Sequence, residues 1–292
     1  MAVVDFPPDA DLSLLEPASL DGAQALVVEA GWNQVRADWL IFLKLGAAFK
    51  VAGPGGSVDA TAATLPTVGG FGWISMVLVT HARRRQGIAT CLLERCIARL
   101  RGAGLVSVLD ATPAGRLVYQ RLGFAAGWPI SRWYRAAPSP TPPHTAAPIP
   151  GVRAMQRQDL AAVATLDAGA FGCAREKLLA GLHDRSRDLA CVSESGAALR
   201  GYLLGRDGRN ATQIGPLVAQ DEATAIALLG HAIARQSGPL LIDVLDRHTR
   251  VAQALARHGF SIQRPYTRMT LDRPTPFGDA RIMIAIAGPE LG

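Results

Sequence analysis

Two hydrophobic patterns alternate along the chain: short, nearly continuous apolar runs, and longer stretches in which apolar residues return every three or four positions. WISMVLV (73–79) is of the first kind, which predicts a strand buried on both faces. After a polar segment, Ile88, Ala89, Leu92, Leu93, Cys96, Ile97 and Leu100 recur at helical spacing, while Glu94, Arg95, Arg99 and Arg101 fall on other faces. Gly102 and Gly104 stop that helix. VSVLDAT (106–112) predicts another strand, AGRLVYQRLGF (114–124) a short helix closing on Gly123, and ISRWYRA (130–136) a further strand. Strands alternate with helices in both halves of the chain, so the expected fold is mixed α/β (α+β), a central sheet flanked by helices.

The periodicity lapses in AAPSPTPPHTAAPIPG (136–151), whose prolines and small residues read as an extended linker. The expected organisation is one domain over 1–135, a Pro-rich linker over 136–150 and a second domain over 151–292. The halves also repeat each other. Leu93 and Gly123 stand 30 residues apart, as do Leu229 and Gly259, and at that offset Phe124 falls on Phe260, Asp110 on Asp246 and Tyr119 on Leu255. The copies differ between the first strand and its helix, where the second is four residues shorter.

Composition narrows the class. With 292 residues, 49% hydrophobic and 18% charged, the chain can bury a large core. Asp5, Asp9, Asp11, Glu16 and Asp21 precede the first basic residue, Arg36, which is the reverse of a secretory or mitochondrial leader, and no apolar stretch reaches spanning length. The expectation is a cytoplasmic protein without a membrane segment. Cys91, Cys96, Cys173 and Cys191 form no CxxC pair and no metal spacing with histidine, so neither a metal site nor a disulfide framework is expected. The formal charge of +6 favours an anionic partner: nucleic acid, an acidic surface or a phosphate-rich cofactor.

The four extra residues of the first copy belong to THARRRQGIAT (80–90), where the second has QDEAT. A helix start presents unpaired N–H groups and about half a positive charge, so it attracts anions. Gly87 lacks the Cβ that would hold a phosphate away from those groups. Arg84 and Arg85 can add forked, charge-assisted donors. Together they describe a diphosphate cradle, although the composition alone equally describes a solvated basic turn. No Gly-Lys-Ser/Thr is present for a Walker loop, and one glycine is too few for a Rossmann fingerprint.

These residues carry a resemblance. Arg84-x-x-Gly87-x-Ala89 after an apolar strand resembles the acyl-CoA pyrophosphate motif (Q/R-x-x-G-x-G/A) of the GNAT superfamily of N-acetyltransferases. Tyr119-Gln-Arg-Leu-Gly123-Phe124, following VLDATPAG, is similar to the family's Tyr-x-x-x-Gly-Phe ending. Strand, loop, helix, strand and Tyr-bearing helix, in that order, cover about residues 58–135. AGWNQVRADWLIFLKLG (30–46) and the closing RIMIAIAGPELG resemble tandem GNAT proteins of the YitH-like group. This implies two GNAT-like domains, the first catalytic and the second degenerate.

The resemblance implies an acetyl-CoA-dependent N-acetyltransferase acting on a small-molecule or peptide amine. Backbone groups of Val77, Leu78 and Val79 would pair with the pantetheine arm as an added strand. Arg84, Arg85, Gln86, Gly87, Ile88, Ala89 and Thr90 would hold the pyrophosphate. Thr112 stands where many members have an asparagine contacting pantetheine, and Gly115 where they have alanine. Tyr119 is the implied general acid, a phenol that protonates the departing thiolate without carrying charge at neutral pH; its other reading is a tyrosine that packs a helix on the sheet. Asp110 could orient an amine or cap a helix. The stretch where a base is common, FGWISMV, has no carboxylate, which leaves Glu29, Asp38, Asp59 and His81 unranked. Trp32, Asn33 and Trp39 would sit in the substrate pocket, and serve equally as core packing and a helix cap. Nucleic-acid binding is not expected, because interleaved aromatics are lacking; a homodimer stays open. The competing expectation is a non-catalytic CoA-binding or protein-interaction module with the same fold.

Overall fold

A computed structural model describes residues 11–137, 149–196 and 198–292, so most of the proline-rich linker lies outside the described residues. The first half runs β1 (Leu12–Leu14), α1 (Leu20–Glu29), α2 (Arg36–Leu45), β2 (Ala47–Ala52), β3 (Val58–Pro66), β4 (Phe71–Val79), α3 (Ile88–Gly102), β5 (Val106–Ala111), α4 (Pro113–Arg121) and β6 (Phe124–Arg135). The second repeats that succession: β7 (Val152–Ala154), α5 (Leu160–Phe171), α6 (Glu176–Arg185), β8 (Cys191–Ser195), β9 (Ala198–Arg206), β10 (Thr212–Ala219), α7 (Glu222–Ile233), β11 (Leu240–Leu245), α8 (Thr249–Arg257) and β12 (Ser261–Leu271). It then adds a short β13 (Met283–Ala285). The strands and helices anticipated in the first half are present. β6 begins at Phe124, six residues before the expected strand and where the expected helix ends, because FAAGWP is held extended by pairing with β12.

Among the described residues the thirteen strands form one sheet, ordered β1-β2-β3-β4-β5-β12-β6-β11-β13-β10-β9-β8-β7. The halves have exchanged strands. β12 of the second half lies between β5 and β6 of the first, and β6 of the first lies between β12 and β11. β6 and β12 run antiparallel from Phe124↔Leu271 to Tyr134↔Ser261. Ile130 and Tyr266 are both cross-strand partners and equivalents at the 136-residue offset, so a pseudo-twofold axis passes between them. Each half thus receives its innermost strand from the other.

Charge marks the exchange. Arg132 on β6 holds Asp243 on β11 through bonds of 2.7 and 2.8 Å, and its repeat equivalent Arg268 on β12 holds Asp110 on β5 through two of 2.9 Å. Both carboxylates are fully buried. The structural mate of Asp110 is therefore Asp243, a correction to the equivalence with Asp246. The reason is local: Thr112 alone separates Ala111 from α4, whereas Leu245, Asp246, Arg247 and His248 separate its counterpart Val244 from α8.

Helices cover both faces of the first half's sheet. Ile88, Leu92, Leu93, Cys96 and Leu100 of α3 pack on Phe49, Ile74 and Leu109. Leu20, Val27, Trp39 and Phe42 of α1 and α2 belong to the cluster on the other face, with Trp73, Met76 and Leu78. β4 is buried on both faces, as its apolar run predicts. The four cysteines are buried free thiols. No helix of the described residues is long and apolar enough to cross a membrane.

Candidate active site

β4 and β5 pair in parallel only at Phe71↔Val106, Gly72↔Ser107 and Trp73↔Val108, and then part. Met76 marks the departure. Its φ of 53° is left-handed, and its carbonyl accepts from Thr61 Oγ1 at 2.9 Å, which draws the strand toward β3. A cavity of about 290 Å³ opens in the gap, with Ile74, Ser75, Met76 and Val77 on the β4 side and Leu109, Asp110, Thr112, Gly115 and Tyr119 on the other.

α4 places Tyr119. Thr112 caps the helix, its Oγ1 accepting from Gly115 N at 3.2 Å, and Pro113 fixes the first turn. Gly115 leaves room for the ring: a Cβ there would stand 2.9 Å from Tyr119 Cε2. The ring also packs on Phe124, centroids 6.0 Å apart. Burial pushes the phenol up to about 12, so it remains a neutral proton donor throughout the physiological range.

Residues 80–87 carry β4 into α3. Arg83 is held by Asp59 at 3.2 Å and Gln86 at 2.9 Å, and Arg84 Nε donates to Val79 O at 3.0 Å. Arg85 (φ 63°) and Gly87 (φ 81°) are both left-handed. The first helical bond runs from Cys91 N to Gly87 O at 3.1 Å, and no side chain caps the helix. Its leading N–H groups are left for an external acceptor. Of the residues expected to hold a cofactor, Val77, Ala89, Thr112 and Gly115 line the cavity with Tyr119. Leu78, Val79, Arg84, Arg85, Gln86, Gly87, Ile88 and Thr90 do not line it. Leu78 and Ile88 bury their side chains in the core and offer only backbone groups.

The second half has the same parting of strands but not the opening. β10 and β11 pair at Thr212↔Leu240, Gln213↔Leu241 and Ile214↔Ile242, and β13 then lies between them. A Cβ on Gly215 would stand 2.1 Å from Ile286 O, so the inserted backbone is in close contact. The start of α7 is closed as well, because Asp221 accepts from Thr224 N at 2.7 Å. That N–H holds the Asp221 carboxyl below the usual carboxylate range. Leu255, equivalent to Tyr119 in the repeat, is buried in the core.

None of the four candidate bases lines the cavity. Asp38 is buried, accepting from Val35 N at 2.9 Å and from Arg185 at 2.7 Å. Asp59 pairs with Arg83. Glu29 accepts from Thr80 and from His81 N, and that backbone donor is the main reason its carboxyl lies low. His81 is exposed beside Glu29. Trp32 and Asn33 do line the cavity. Asn33 Oδ1 also accepts from Asn210 N and Ala211 N at 2.9 and 3.0 Å, which ties the first half to the second. Trp39 instead packs in the core against Phe42. Asp110 lines the cavity, raised by burial against the opposing pull of Arg268.

The sequence reading missed the closing segment. Trp73 Nε1 donates to Pro289 O at 2.9 Å, and Glu290, buried at 2% exposure, lines the cavity. Its signal was available: it is the only charge after Arg281, in an otherwise apolar tail. Among the described residues no group of three or more His, Cys, Asp or Glu is placed to hold a metal ion.

The family description "Acetyltransferase (GNAT) domain" matches residues 47–126 in one form and residues 163–282 in another. YitH of Bacillus subtilis, described as an uncharacterized N-acetyltransferase, is 25% identical over 187 residues, 64% of this chain and 65% of its own. The chain therefore spans just under two thirds of that relative's length. A Pyrococcus horikoshii protein solved as a candidate acetyltransferase superposes with a TM-score of 0.80 at 18% identity, covering 98% of this chain and 97% of its own. A tandem GNAT protein from the clavulanic acid biosynthesis pathway superposes with a TM-score of 0.61 at 14% identity, covering 89% and 98%. These two likenesses concern the fold. With one GNAT match in each half and one shared succession of elements, the chain belongs to the tandem proteins of the GNAT acetyltransferase superfamily.

Proposed function

We propose that the chain is an acetyl-CoA-dependent N-acetyltransferase in which residues 1–135 hold the cofactor and carry the chemistry, 136–150 link, and 151–292 form a GNAT-like domain that no longer binds CoA. The carrying observation is the contrast between the two partings of strands. Beside β4 the gap is open, the next helix start is uncapped and a neutral tyrosine lines the space; beside β10 the protein's own backbone and carboxylate occupy the same places.

Bound acetyl-CoA would supply an acetyl group already activated as a thioester. The open edge of β4, with backbone groups from Val77 to Val79, suits the amide-bearing pantetheine. Val79 O would first have to release Arg84, whose guanidinium, with that of Arg85 and the N–H groups of Gly87 to Thr90, suits the pyrophosphate. Thr112 and Gly115 shape the far wall. As the acceptor amine forms the C–N bond and the C–S bond breaks, Tyr119 would give its proton to the departing sulfur, and the proton lost by the nitrogen would pass to solvent, from which the phenol is restored.

Titration of the full chain with acetyl-CoA, coupled to release of free thiol with a panel of amines, tests this. Gly87→Glu, which adds bulk and like charge, should abolish measurable binding; retained affinity overturns the cradle. Tyr119→Phe should keep the Kd while slowing turnover roughly 100-fold or more; unchanged turnover removes Tyr119 as the acid. Binding without thiol release from any amine would leave the non-catalytic module.

A further inference from the structure

We propose that Glu290, delivered from the second half, binds the acceptor amine as an ammonium ion, so that the substrate is a primary amine recognised by its charge. This rests on the N-acetyltransferase reading and supplies the acceptor class that reading leaves open.

Buried polar atoms are almost always paired, and three that belong to residues lining this cavity are not: Glu290 Oε2, Ser75 Oγ and Gln34 Oε1. Their residues are 2%, 8% and 5% exposed. Two are obligate acceptors as placed and the third is a hydroxyl that can accept, so their common complement is a group with several donors and no lone pair. An ammonium is such a group.

The ion pairs around the cavity leave one of these acceptors open to a ligand. Glu290 Oε1 is taken by Arg206, whose Nε is 3.1 Å from Asp38, while Asp38 also pairs with Arg185 and Arg185 with Asp207. Asp207 is exposed and so solvated, which leaves Glu290 and Asp38 sharing the guanidinium groups of Arg206 and Arg185, with Glu290 Oε2 still free. Asp110 and Arg132, which also line the cavity, are already matched by Arg268 and Asp243. Arg264, the remaining charge of the lining, is only half-buried on β12 and so solvated. The carboxylate oxygen of the lining left without a donor is Glu290 Oε2, and an ammonium beside it supplies the hydrogen bonds that burial denies it.

The fold explains how a residue so far along the chain arrives there. β13 is fixed between β10 and β11, His248 Nε2 lies 3.0 and 2.9 Å from the carbonyls of Ala280 and Met283, and Trp73 holds Pro289. The segment that closes the second cleft thereby sets the wall of the first.

Isothermal titration of the full chain with butylamine, phenethylamine and tryptamine, each against the alcohol of the same skeleton, tests the assignment, with CoA titrated separately. At least one amine is expected to bind 10-fold or more tighter than its alcohol. Glu290→Gln should weaken that amine by roughly 10- to 100-fold, leave the alcohol unchanged and leave CoA binding intact. Equal binding of every amine and its alcohol, or a gap that survives Glu290→Gln, overturns the proposal. Should Glu290→Gln not fold, Ser75→Ala decides, since it disturbs no ion pair: amine affinity must fall severalfold with the alcohol unaffected, and no change overturns the assignment. Failure of CoA to bind the wild type would instead sink the acetyl-CoA reading, whatever the amines do.

Discussion

Arg268→Met probes the exchange of strands on which the site is built. Arg268 sits on β12 and clamps Asp110 on β5 with two bonds of 2.9 Å, both side chains being almost wholly buried. The change keeps most of the aliphatic contact with Trp73, whose ring lies 4.5 Å from the guanidinium, but strands a buried carboxylate without its partner. Removing one member of a buried pair costs about 3–5 kcal/mol. With a urea m-value near 3 kcal/mol/M, that is a midpoint shift of roughly 1–2 M. Urea unfolding followed by tryptophan fluorescence reads it. The double variant Asp110→Val/Arg268→Met, which replaces the pair by apolar groups, should recover at least ~2 kcal/mol of that loss, because no charge is left behind. The sign of the pH dependence is also set. Burial already raises the Asp110 carboxyl, and without Arg268 it rises further. An acid raised on folding destabilises while ionised and is relieved as pH falls through its folded value, so the gap between variant and wild type should narrow from pH 7 toward pH 5. A midpoint shift below about 0.3 M, or a double variant whose cost is the sum of the singles, would refute the claim that this pair holds β5 to β12.

Two further outcomes concern Tyr119. Gly115→Ala puts a Cβ 2.9 Å from the ring, short of the ordinary 3.5–4.0 Å by roughly 0.6–1.1 Å. Turnover should drop about 10- to 100-fold through misplacement of the phenol, with acetyl-CoA affinity held within about twofold; unaltered turnover would show that the ring's position is not critical. Because burial holds the phenol near 12, it stays protonated and kcat should show no alkaline limb of its own up to about pH 10. A limb at pH 8–9 that disappears in Tyr119→Phe would contradict this.

Much of the fold was legible in the sequence because it rests on local rules. The run before Thr80 could only be a doubly buried strand, the spacing from Ile88 to Leu100 could only pack as a helix, and the matched distances to Gly123 and Gly259 exposed the repeat. Tyr119, Thr112 and Gly115 were nameable through the resemblance to the GNAT motif, and they meet because cap, glycine and ring belong to one short helix. The pocket was less legible. Asp38 and Asp59 looked available as bases, but Asp59 is bound to Arg83 and Asp38 to Arg185 and Arg206 of the other half. Trp39 looked like a pocket residue and is core, whereas Trp32 and Asn33 line the cavity.

The sequence by itself determined the alternation of strands and helices, the duplication, and the difference between a glycine-arginine loop and an acidic one, since each depends on neighbours a few residues apart. Only the tertiary structure decided that β6 and β12 change places, that β13 fills the second cleft, and that Glu290 reaches the first. Those choices turn on pairings between residues about 40 to more than 200 positions apart, where no periodicity reaches. Charges buried in apolar strands, such as Arg132, Asp243 and Arg268, announce that partners must exist. Which partners they find depends on how the two halves close on each other.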